Sequence, residues 1–156
     1  MSDLITLLKI QKKVEIQHVE TLREDVDTSS NPLVGVLLNS ILLDSTKHAA
    51  ICQALIDVDV GASPVSLEID MDEAVELAQK IKQHVNVETR MITQLEGMLE
   101  KVEDDRVKYI LGMMLDDEKR HHNTLKELSS LLDRNETAFE EYMMLFQKYM
   151  IVPPEA

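Results

Sequence analysis

The chain has 156 residues, enough for one domain with a real core, and sets 16 Lys+Arg against 29 Asp+Glu for a formal charge of −13. That balance repels nucleic acid and anionic membranes and attracts cations. With 3% aromatic residues and no tryptophan there is little to stack bases or fill a β-sandwich, and one cysteine, Cys52, excludes a disulfide framework and a thiolate-bound iron–sulfur module.

The first apolar seam reads Leu4, Leu8, Gln11, Glu15, His18, Leu22, with Ser2 or Asp3 as N-cap. Thr28–Pro32 is a turn in which Asn31 caps a second helix and Pro32 takes its first position. That helix reads Val34, Leu37, Ile41, Asp44, His48, Ile51, Leu55. Residues 58–70 carry Gly61 and Pro64 and show no helical period. The third helix follows as Ala74, Leu77, Ile81, His84, Glu88, Met91, Leu95, Met98, Val102. After a polar turn near Asp104 the fourth reads Val107, Leu111, Met114, Glu118, His121, Leu125, Leu128, Leu132. Alternating steps of three and four are those of bundle helices. Residues 135–150 form a shorter amphipathic segment with Phe139, Met143, Phe146 and Met150 on one side, folding onto the bundle or onto a neighbouring subunit. The domains are thus a bundle over 1–133 and a helix and tail over 134–156.

Short turns make helices 1–2 and 3–4 antiparallel hairpins. The thirteen residues 58–70 reach roughly 43 Å when extended, enough to run the length of a helix, so one long crossover is expected. The hairpins also align at a constant offset of 73: Glu15 falls on Glu88, Asp44 on Asp117, His48 on His121, and Leu4, Leu22 and Leu55 on Leu77, Leu95 and Leu128. An internal duplication with approximate two-fold symmetry explains that.

Four histidines share a helical face with a carboxylate: Glu15 with His18, Asp44 with His48, His84 with Glu88, Glu118 with His121. Each pair interrupts an apolar seam near its centre. Buried charge is costly unless paired or metal-bound, so four pairs at one level point to a metal site on facing helices. Carboxylate and imidazole without thiolate suit iron, manganese or zinc. His122 points away from the seam, and methionines 91, 98, 113 and 114 read as core filler.

These residues resemble the ferritin-like superfamily, and within it the rubrerythrin-like carboxylate di-iron proteins. The resemblance covers about residues 1–132 and is most specific at Glu118-Lys119-Arg120-His121. It implies an all-α four-helix bundle with Glu15, His48, Glu88, Glu118 and His121 around two iron ions. It further implies an oxidoreductase that reduces peroxide or dioxygen or oxidises ferrous iron. The chain departs from the pattern at Ser45, where the family carries a bridging Glu. Asp44, His18 and, more weakly, His84 are the residues that could compensate. The alternatives are a single-metal protein for storage, buffering or sensing, and a metal-free bundle whose polar layer is satisfied internally. Without a long apolar stretch or a basic, apolar start, a soluble cytoplasmic protein is expected, assembling as a homo-oligomer such as a dimer.

Overall fold

The computed structural model describes residues 2–58 and 67–150, and the side chains from residue 4 onward. It is all-helical: α1 (Ser2–Thr28), α2 (Pro32–Asp57), α3 (Met71–Lys101), α4 (Asp105–Asp133) and a short α5 (Phe139–Leu145) that runs into a π-helical turn at Phe146–Met150. The chain divides into two compact units, Met1–Val65 and Ser66–Ala156, each built on one pair of long helices. Most of the expected crossover, and the side chains of Ser2 and Asp3 expected to cap α1, lie outside the described residues.

Helix boundaries follow local chemistry. The Asn31 side chain accepts from the amides of Leu33 and Val34 at 3.0 and 3.3 Å, and Pro32 needs no partner for an amide it lacks. Asp70 caps α3 through the amides of Asp72 and Glu73, and Asp104 caps α4 through that of Arg106. At the end of α4, Asn135 adopts the left-handed conformation (φ 51°), and the Asn135 and Glu136 amides close on the carbonyls of Leu132 and Leu131. This Schellman turn redirects the chain so that α5 packs on α4. The Tyr142 hydroxyl locks it by donating to the Glu136 carbonyl, and the Leu67 amide ties the entry to α3 onto the Thr137 carbonyl.

Within the first unit the protected stripe of α1 is Ile5, Leu8, Lys12, Glu15, Val19, Leu22, Val26, and that of α2 is Leu38, Leu42, Ser45, Ala49, Cys52. In the second unit α3 protects Ala78, Ile81, Val85, Glu88, Ile92, Leu95, Leu99, and α4 protects Leu111, Leu115, Glu118, His122, Leu125 and Leu132. Each is a three-four repeat, the pattern of a two-helix seam. On α2 it is shifted around the helix from the expected seam with no position in common, while elsewhere it shares Leu8, Glu15, Leu22, Ile81, Glu88, Leu95, Leu111, Glu118, Leu125 and Leu132 with the expected seams. The reason is that each helix carries a second apolar stripe beside the first: Leu4, Val34, Leu37 and Ile41 in one unit, and Leu77, Met91, Met98, Val107 and Met114 in the other, all more than one-third exposed. The sequence period registers both stripes, while the hairpin closes on one. The offset of 73 holds for the closed stripe too, with Ile5 on Ala78, Leu8 on Ile81, Leu42 on Leu115 and Ser45 on Glu118.

The core of the second unit gathers Ala78, Ile81 and Leu132, backed by Ile69, Val85, Leu125 and Leu128. Ile81→Ala should cost about 2–4 kcal/mol in chemical unfolding, because it removes buried carbon and leaves a cavity. Val75→Ala, on an exposed face of the same helix, should cost under about 1 kcal/mol.

Candidate metal centre

The seam of the second unit is apolar except at its centre, where the three-four repeat brings Glu88 of α3 and Glu118 of α4 face to face. Val85 and Ile92 lie one turn either side of Glu88, and Leu115 and Leu125 bracket Glu118. One oxygen of each carboxylate, Oε2 in both, is buried without a hydrogen-bond partner. His121, one turn beyond Glu118, sets Nδ1 3.6 Å from Glu118 Oε2 with its ring about half exposed. One ligand atom each from Glu88, Glu118 and His121 falls within a mutual distance of 4.8 Å. Among the described residues this is the only convergence of three or more metal-ligating side chains.

The electrostatics of this cluster are unfavourable for the protein alone. Burial, then the hydrogen bond to Glu118, then the negative charge of Glu118 push the Glu88 carboxyl up to about 7. Two carboxyls this close do not both ionise at low cost, so Glu88 keeps its proton to a higher pH than an ordinary carboxyl. A divalent cation can take the proton's place, drawing on the two unpartnered oxygens and the imidazole. The donor set of two carboxylates and one imidazole fits iron, manganese or zinc.

The equivalent layer of the first unit is built differently. Glu15 faces Ser45, not a second carboxylate. The Gln11 amide donates to Glu15 Oε1 at 2.9 Å, and this bond, with the Ser45 hydroxyl and the neighbouring His48 and His18, holds the Glu15 carboxyl below the usual range. His48 Nδ1 lies 3.5 Å from Glu15 Oε1, and His18 Nδ1 lies 3.1 Å from the buried Ser45 hydroxyl. Glu15, His18, Ser45 and His48 thus form one polar layer in which the single carboxylate is already satisfied.

Of the expected ligands, Glu88, Glu118 and His121 come together in the second unit, and Glu15, His18 and His48 are neighbours in the first. Asp44 is mostly exposed and pairs with Lys47 at 3.0 Å, turned from the layer. His84 is exposed on α3. His122, read from sequence as pointing away, is half-buried on the α4 seam, and its Nε2 lies 3.1 Å from Thr89 Oγ1 of α3. Its 73-residue counterpart is Ala49, a buried seam position, which is the sequence signal for that placement. No family model, characterised protein or solved structure matches the chain.

Because the folded pKa of Glu88 is raised, the metal-free protein gains most from this residue below about pH 4.5 and loses that stability as pH rises through about 7. Glu88→Gln should therefore stabilise the metal-free protein at pH 8 by about 1–2 kcal/mol, after allowance for solvent screening, and flatten the loss between pH 5 and 8. Denaturant titrations across that pH range measure both.

Proposed function

We propose that this chain is a metal-dependent oxidoreductase of the ferritin-like, di-iron carboxylate type. It would reduce peroxide or dioxygen, or oxidise ferrous iron. The observation that carries the proposal is the Glu88–Glu118–His121 cluster, with two buried carboxylate oxygens lacking a hydrogen-bond partner and the Glu88 carboxyl pushed up to about 7. Proteins rarely leave buried carboxylates in that state without a ligand to satisfy them. Supporting the four-helix arrangement are the second apolar stripes, which leave a row of exposed aliphatic side chains on each hairpin and call for a partner.

Bound iron would supply the electrons for peroxide or dioxygen reduction. Glu88, Glu118 and His121 are the residues of the second unit that would hold the metal. In the first unit Glu15 and His48 are the residues that would serve as ligands. Glu88 has a further role: cation loading would displace its proton, so the residue would bind the ion as an anion and metal uptake would release a proton. The apolar residues above and below the layer keep bulk water from the pair and strengthen its attraction for a cation.

A single-metal, non-catalytic protein is the second reading, and Ser45 is the observation that favours it. The first unit offers one carboxylate, and that carboxylate already has Gln11, Ser45 and His48 for company. In this case the ion sits on the second unit alone.

Elemental analysis of protein purified without added metal should find iron, manganese or zinc, and Glu118→Gln should weaken binding of that metal by at least about tenfold. Ser45→Glu should raise the stoichiometry toward two per chain and speed peroxide-driven oxidation of the ferrous form. A folded Ser45→Glu protein that still binds one ion and shows no oxidation would decide for the non-catalytic reading. Native protein and Glu118→Gln that are equally metal-free would overturn both.

A further inference from the structure

The first unit carries a feature that the metal reading does not use. On the side of the α1–α2 hairpin away from Leu4, Val34 and Ile41, a groove of about 610 Å³ is lined by Lys9, Lys12 and Lys13, with Gln17, Gln53 and the Ile16 and Ile56 side chains beside them. Glu20 is the one acidic side chain that lines it. Lys12 is half-buried on the hairpin seam, and its ammonium donates to Gln53 Oε1 at 2.6 Å, which fixes one cation at the groove wall. Among the described residues none of the three lysines is paired with a carboxylate. Among the described residues half of the 16 basic side chains pair with a carboxylate, whereas the three around this groove do not.

We propose that this groove binds a small phosphorylated ligand with an apolar portion, the phosphate held by Lys9, Lys12 and Lys13 and the apolar part lying against Ile16 and Ile56. Lysine ammonium groups act on phosphate as point charges, and three of them match a dianion. The volume is that of a small-molecule pocket. A long polyanion fits poorly, because a net charge of −13 repels it everywhere outside this one patch, and nucleic acid needs an extended basic surface. Gln17 and Gln53 add neutral hydrogen-bonding groups, and Glu20 disfavours a second phosphate at its end of the groove.

Phenyl phosphate titrated into the full chain, followed by backbone amide resonances, tests this. Saturable shifts confined to residues 9–20 and 53–56 are expected, weakened by about tenfold in Lys9→Gln/Lys13→Gln and by raised salt. Those two lysines are exposed, so the variant keeps its fold, which its remaining amide spectrum verifies. Benzyl alcohol should give no saturable shift. The proposal stands apart from the metal reading, so Glu118→Gln should bind phenyl phosphate as the native protein does. Absence of saturation, equal binding by the lysine variant, loss of binding in Glu118→Gln, or tighter binding of a hexaglutamate peptide would each overturn it.

Discussion

Two carboxylates on a narrow apolar seam set the terms for the second half of this molecule. The three-four repeat that closes α3 on α4 uses aliphatic residues on α3 for several turns either side, sets His122 and Ser129 among the leucines of α4, and places Glu88 opposite Glu118. Packing holds the pair together while mutual repulsion and desolvation work against it, and the outcome is a Glu88 carboxyl pushed up to about 7. A hairpin that needed only stability would carry two leucines there. The polar pair is therefore best understood as a site kept at the expense of the apo fold, with His121 on the neighbouring turn completing a donor set for a cation.

The first half shows what the same scaffold does with one carboxylate. Its seam follows the second half position by position at the offset of 73, so Glu15 corresponds to Glu88 and Ser45 to Glu118. Exchanging one carboxylate for a hydroxyl removes the repulsion: Ser45 can donate to Glu15 and receive from His18, and Glu15 is held ionised in place of being driven toward protonation. One substitution in a duplicated hairpin thus separates a layer that lacks a partner from a layer that is complete. The asymmetry bears directly on whether one ion or two is held per chain, and it explains why a single difference from a familiar ligand pattern matters more than the matches around it.

The helices and their limits were legible because their signals are local. Asn31-Pro32 and Asp104 mark helix starts by side-chain chemistry alone, and the structure uses them as such. Glu88, Glu118 and His121 were legible because both carboxylates lie at positions shared by the two apolar stripes, so an error in choosing the stripe left them inside. The stripe itself was not legible. Leu4 and Ile5, Leu37 and Leu38, and Ile41 and Leu42 are apolar neighbours, and period alone does not say which of them meets the adjacent helix. That ambiguity carried His122 to the wrong side and brought Asp44 too far inward. The turn at Asn135 also escaped, since a left-handed asparagine is one of several ways to end a helix and depends on how α5 docks.

The most direct measurement is anomalous diffraction from crystals of the native protein grown with a divalent transition-metal ion, collected at that metal's edge. The account predicts a peak about 2.0–2.3 Å from carboxylate oxygens of both Glu88 and Glu118 and from a ring nitrogen of His121. A loaded crystal whose peaks lie at surface carboxylates such as Asp44, with none at Glu88 and Glu118, would contradict it.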